Sequence, residues 1–140
     1  EIGRGVDPAA YSFKRQPGIF PCLSKRSIAS SDLGVFWSSP AGLAASDGVG
    51  VLLATGEFIS KREWSDQFYP TTIHGVVHEQ RYYGWFKTGV DTDGFDVGKA
   101  FTVDRSEQAF LVTTNFWVDC AHVIESTDTM WVVRKVRVPV

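Results

Sequence analysis

The sequence predicts an all-β fold of antiparallel, propeller-like blades forming a partial propeller, with one short connecting helix near residues 60–68. Three observations carry this expectation. Short apolar runs alternate with period two, turn signals rich in Gly, Asp and Ser separate them, and the pattern recurs in units of roughly 35 to 45 residues, the length of a four-stranded blade. The 140 residues are 44% hydrophobic and 14% aromatic, enough for a packed core.

Residues 1–21 carry Pro8, Pro17 and Pro21 with little periodicity and read as an extended arm or linker, leaving residues 22–140 as the propeller-like domain. Val35-Phe36-Trp37 is a strand candidate, entered through a hairpin turn at Asp32-Leu33-Gly34 and bounded by Pro40. Between Ala41 and Leu53 two short apolar runs flank Ser46-Asp47-Gly48, a second hairpin signal and the start of another meander. Ser60-Lys-Arg-Glu63 has the form of a capping box, in which the Ser60 hydroxyl accepts from the Glu63 amide while the Glu63 carboxylate reaches back. Trp64 and Phe68, four apart, share one face of that helix and pack it onto the blades, and Pro70 stops it.

Thr72 to Val103 is the most strongly patterned stretch. Ile73–His78 is apolar and β-branched, and Glu79-Gln80 forms a tight turn into the next strand. From Arg81 to Lys87 the chain places Arg81, Tyr83, Trp85 and Lys87 on one face and Tyr82, Gly84 and Phe86 on the other. Gly89–Gly94 is too polar and Gly-rich for strand or helix, and Phe95–Val103 resumes an extended pattern. Asn115–Val140 reads as a third sheet unit, with strands at Phe116–Val118, His122–Ile124 and Met130–Val138 about a turn at Ser126–Thr129. The chain begins at Glu1 and its single methionine is Met130, so these blades are expected to belong to a larger polypeptide and a larger propeller.

Composition narrows the chemistry. A net charge of −2 counts against tight, sequence-independent duplex binding, which needs several Lys and Arg contacts to phosphates. No run approaches the ~20 apolar residues of a membrane helix. Cys22 and Cys120 are too few and too distant for a disulfide framework or a zinc site and are expected as buried, reduced thiols. His74 and His78 lie four apart, which on a strand is about 13 Å, too far to share one ion. Asp91, Asp93 and Asp96 lack the distal bidentate Glu of a calcium loop and suit turn formation instead. No nucleophile elbow or phosphate-cradling loop is present, so no catalytic residue, metal or cofactor is expected. Ser30, Asp32, Gly34 and Trp37 match the Ser-x-Asp-x-Gly-x-x-Trp form of an Asp-box, a hairpin-stabilising device in which Asp32 would bond turn amides and Trp37 would anchor in the sheet. Lys25, Arg26, Arg81 and Lys87 are the candidates for a surface facing neighbouring subunits or DNA, while most basic residues, Arg134, Lys135 and Arg137 among them, suit solvated strand faces and rims.

The run Cys22–Ile28, then Ser39–Leu43, Thr55–Trp64, Tyr69-Pro70, His78–Phe86 and Gly94-Phe95, with weaker traces at Val118-Asp119 and Asp128–Trp131, resembles the tail nozzle or hub proteins of short-tailed bacteriophages. Gln80 departs from the Gly expected at its turn. The resemblance implies a non-enzymatic, structural virion protein of the phage tail, made in the host cytoplasm, with β-propeller domains around the DNA-ejection conduit. It further implies copies of itself in a ring, other tail proteins as partners, transient contact with exiting DNA, and no membrane segment. The rival expectation is a sialidase-like or other carbohydrate-binding propeller, motivated by the Asp-box form and abundant aromatics. A receptor-binding module is a third.

Overall fold

Residues 20–32, 34–104, 106–113 and 116–135 are described in the computed structural model. Short turns set its strand boundaries. The first sheet holds β1 (Ala29–Ser31), β2 (Gly34–Ser38), β3 (Leu43–Ser46) and β4 (Val51–Leu53), antiparallel and in chain order. What reads from sequence as two successive meanders is therefore one four-stranded sheet. Ser31 pairs with Gly34 at the start of β2; the φ of Gly34 is +125°, and a Cβ there would lie 2.1 Å from the Ser46 carbonyl oxygen on the neighbouring strand. Only glycine fits that position.

The second sheet repeats the plan with β5 (His74–His78), β6 (Arg81–Val90), β7 (Asp96–Asp104) and β8 (Ala109–Thr113), again in chain order. His78 pairs with Arg81, so Glu79 and Gln80 are the whole turn, and both have positive φ, 51° and 65°. That backbone matches the twist of the flanking strands, which is why two-residue hairpins adopt it even without glycine. Gly89 and Val90, expected in a loop, instead extend β6 after an irregularity between Lys87 and Gly89. The loop that follows is built by the Asp91 carboxylate, which accepts from the amides of Asp93 (2.9 Å) and Phe95 (3.0 Å). A local side-chain acceptor of this kind ends a strand by offering its amides an alternative to the ladder.

The third sheet has two described strands, β9 (Cys120–Ile124) and β10 (Thr129–Val133), with a 3-10 turn at Glu125–Thr127 between them. Two expectations change here. Phe116–Val118 is not a strand; it is an irregular segment that meets the second sheet at His74 through Trp117 and the Val118 carbonyl, with Val118 fully buried. The final strand stops at Val133 rather than Val138, and residues 136–138 lie outside the described set, as does the proposed arm up to residue 19. Both cysteines are exposed, Cys120 as the first residue of β9 and Cys22 donating its thiol to the Ser24 carbonyl (3.2 Å). The expectation of buried thiols is overturned: Cys120 takes an exposed position on β9, and Cys22 lies ahead of the first sheet with its thiol on the Ser24 carbonyl rather than on an inward strand position.

The helix α1 (Lys61–Gln67) connects the first two sheets. Ser60 is its N-cap and accepts from the Glu63 amide at 3.1 Å, while the Ser60 hydroxyl donates to the Glu63 carboxylate at 3.3 Å. Trp64 and Phe68 stack at 5.3 Å and enter an aromatic core with Phe36, Tyr82, Phe86 and Phe101. The Tyr82 hydroxyl donates to the Ser27 carbonyl at 2.6 Å, linking the second sheet to the lead-in of the first. Across the sheets, β1 lies beside β5 and β5 beside β9, so the first strands of the three units are neighbours.

The Tyr82, Gly84, Phe86 face of β6 is the core face, and Gly84 lies under the Phe101 ring, where a Cβ would meet the ring carbons at 2.3 Å. Gly84→Ala is therefore expected to cost about 1–3 kcal/mol through overpacking, read as a lower urea midpoint at unchanged slope. Gln80→Gly is expected to raise stability by about 0.5–1 kcal/mol by relieving the left-handed backbone. An unchanged midpoint in both variants would contradict the packing and the turn described.

Candidate functional site

Neighbouring first strands bring their outgoing turns to one end of the molecule. The turn after β1 supplies Asp32, that after β5 supplies Glu79, and that after β9 supplies Glu125 and Asp128, around a groove of about 220 Å³. His78 also lines it, with Nδ1 3.7 Å from an Asp128 oxygen and Nε2 3.9 Å from a Glu79 oxygen. The imidazole thus lies between carboxylates of two different sheets, at distances that allow electrostatic attraction but exceed a direct hydrogen bond. Asp128 reaches this place through a left-handed backbone (φ 51°) at the end of the 3-10 turn, a conformation that Asp tolerates better than most residues. His78, Glu79 and Asp128 each offer a ligand atom within 4.8 Å of the others. The two carboxylates nevertheless face opposite ring nitrogens, and a single ion can take only one nitrogen of a ring, so the set suits a charge cluster better than a metal centre.

The Asp-box residues fall on this same hairpin. Ser30 pairs with Val35 across it, and Asp32 is exposed on the groove rim. Trp37 is half-buried and its indole N–H donates to the Phe20 carbonyl at 2.8 Å, which anchors the chain entering the sheet.

The four candidate basic residues do not form one surface. Lys25 is exposed in a 3-10 turn, and the neighbouring Arg26 donates to the Asp119 carbonyl of the segment entering β9. Arg81 opens β6 and donates through Nε to the Asp104 carboxylate at 2.8 Å. Lys87, six residues along the same strand, pairs with Asp96 at 2.8 Å, so at ~3.3 Å per residue the two lie about 20 Å apart. Three of the four are thus matched to acceptors within the chain. The Asp104 carboxyl is held well below the usual carboxylate range, first by Arg81 and then by the hydroxyl of Ser106 and the amides of Glu107 and Ser106. Arg81 is raised correspondingly.

On the face of β6 that carries Arg81, Trp85 and Lys87, opposite the Tyr82 core face, lies a layer that the sequence pattern did not reveal. His74 is buried, stacked on Trp85 at 5.3 Å and meeting the edge of Trp117 at 5.1 Å. Its Nε2 lies 2.7 Å from the Val118 carbonyl oxygen; a carbonyl only accepts, so Nε2 carries the proton. Burial pushes the His74 pKa below its ordinary value, opposed by the Val118 bond, with the Arg26 charge lowering it further and Asp119 raising it. A second groove, of about 270 Å³, opens beside this layer and includes Asp96, Trp117, Asp119, Arg134 and Lys135 in its lining. Asp119 ties that groove together, accepting from the Trp117 indole (3.3 Å) and the Lys135 amide (3.2 Å). Among the described residues no helix is long and apolar enough to cross a membrane.

Neither family models nor curated proteins provide a match to this chain.

Because the His74 pKa is lower folded than unfolded, the unfolded chain binds the extra proton first, and the stability due to neutral His74 is fully present above the unfolded value of ~6.5 and lost as pH falls toward the folded value. Urea denaturation at pH 7.5 and 5.5 is expected to give a loss at the lower pH that shrinks in His74→Gln, which keeps a donor for Val118 but does not titrate. Equal losses in the two proteins would remove His74 as the cause.

Proposed function

We propose that this chain is a non-enzymatic structural component of a phage tail, a propeller-type scaffold that contributes to the nozzle or hub around the DNA-ejection conduit. The observation that carries the reading is the repeated unit: two four-stranded meanders and a third sheet whose first strands β1, β5 and β9 lie side by side. In a propeller the first strand of each blade faces the common axis, and this adjacency is the arrangement such blades require. The residues that resemble tail nozzle proteins run through the first two units and reappear in the third.

Electrostatics favours a wall over a clamp. Asp32, Glu79, Glu125 and Asp128 gather at one end of the axis-side strands, while Arg26, Arg81 and Lys87 are engaged internally. A surface that DNA must pass without sticking is served by carboxylates at the passage and few free cations. Within this reading the chain acts with further blades or copies of itself in a ring and with other tail proteins, touches exiting DNA transiently, and resides in the virion after synthesis in the host cytoplasm. The carbohydrate-binding alternative draws on the Trp117 groove, where an indole lies beside both signs of charge.

Electron microscopy of purified particles, with mass spectrometry of isolated tails, is expected to place the chain at the tail tip in a fixed copy number. Tails that lack it would overturn the reading, and glycan binding abolished by Trp117→Ala would then favour the alternative.

A further inference from the structure

We infer that His74 is a pH-sensitive catch between the second and third sheets: when its ring takes up a second proton, the Trp117–Asp119 segment lifts off β5 and β9–β10 leaves with it, while the first two sheets stay joined. Two consecutive carbonyls of that segment are held from different units. Val118 accepts from Nε2 of His74 at 2.7 Å, and Asp119 accepts from the Arg26 guanidinium on the 3-10 turn ahead of the first sheet. The segment is therefore where all three units meet.

The slot around the ring suits the neutral form. His74 is 3% exposed, stacked on Trp85 and met by the edge of Trp117. With Nε2 committed to Val118, the second proton goes to Nδ1 and leaves a cation buried among indoles. The Trp85 face attracts a cation weakly, but burial is the largest effect and opposes it. Arg26, on the adjacent carbonyl, is a like charge, and Arg134 and Lys135 line the groove beside Trp117. Asp119 favours the cation, yet its carboxylate already accepts from the Trp117 indole and the Lys135 amide. Asp96, in the same lining, is paired with Lys87. His78, with Glu79 and Asp128, lies four residues along β5, about 13 Å away.

The bonds on each side of the slot decide what moves. All five residues of β5 pair with β6, and Trp85 belongs to that same sheet, so one side of the slot is fixed. On the other side the segment is irregular and tied to the third sheet, through the Asp119 amide donating to the Val133 carbonyl at 2.7 Å. Among the described residues β9 pairs only with β10, so no hydrogen-bonded ladder crosses the seam to β5. Water reaches the imidazolium with least disruption when this segment lifts, and the third sheet is carried along.

Hydrogen exchange of the 140-residue chain at pH 7.5 and 5.5, corrected for intrinsic amide rates and followed at low urea concentrations, reads the release sheet by sheet. Amides of β9–β10 are expected to exchange through an opening of lower free energy and smaller urea dependence than those of β2–β3 and β6–β7. Their protection is expected to fall by about threefold to tenfold at the lower pH, tenfold being roughly the limit for one proton gained below ~6.5. His74→Gln, which keeps a donor for Val118 without titrating, is expected to abolish that fall, and His78→Gln to preserve it. Exchange of β9–β10 only together with the first two sheets, protection in the wild-type chain that is equal at both pH values, a fall that persists in His74→Gln, or one that vanishes in His78→Gln would each overturn the inference.

Discussion

Burial of the Trp64 side chain ties the first sheet to the second. Its side chain is fully buried, its indole N–H donates to the Ser39 carbonyl just past β2 (2.7 Å), and its ring meets the edge of Phe101 on β7 at 5.8 Å. One side chain is therefore bonded to the first sheet and packed on the second. A helix of seven residues has no independent stability in water, so α1 exists because the two sheets bury one face of it. The sheets are in turn held together through that face, with Phe68 against Phe86 (4.9 Å) and Phe101 (5.9 Å). The Tyr82 hydroxyl on Ser27 adds a polar tie that fixes the relative position of the same two layers.

Once the sheets are fixed, the positions of the turns follow. β1 beside β5 and β5 beside β9 means that three hairpin turns, far apart in the chain, point to the same end. Asp is a natural turn residue, and with Glu79 and Glu125 at the neighbouring turns the collective result is an acidic groove that His78 also lines. The charge balance elsewhere has a similar logic. Arg81 with Asp104 and Lys87 with Asp96 are cross-strand pairs on β6 and β7, and each occupies a basic group that would otherwise contribute to a phosphate-binding face. The proposed passage surface thus rests on where charges are placed rather than on the small net charge of the chain.

Much of the fold was legible wherever the signal is local. The alternation from Arg81 to Lys87, the turn at Glu79-Gln80 and the capping box at Ser60 depend on neighbouring residues, and each appears in the structure as the sequence implies. The failures share the opposite cause. Phe116–Val118 has strand composition, yet Val118 is buried, its carbonyl lies against the His74 ring and Trp117 meets that ring at its edge, so tertiary packing overrides β-propensity. The cysteines were expected inside because free Cys usually is, and no pattern within a few residues marks them as outward. The turn cluster around His78 was invisible for a plainer reason: its members come from three hairpins between Asp32 and Asp128. In sequence His78 stands four residues from His74, whereas its partners in space are Glu79 and Asp128.

The first two sheets form one cooperative body through the Trp64 face, and native-state hydrogen exchange reads that cooperativity amide by amide. Amides in β2–β3 and β6–β7 are expected to exchange with one common free energy in the wild-type chain, and in Trp64→Ala both sets are expected to fall together by about 3–5 kcal/mol. Loss of protection confined to one sheet, with the other left at its original value, would contradict the account.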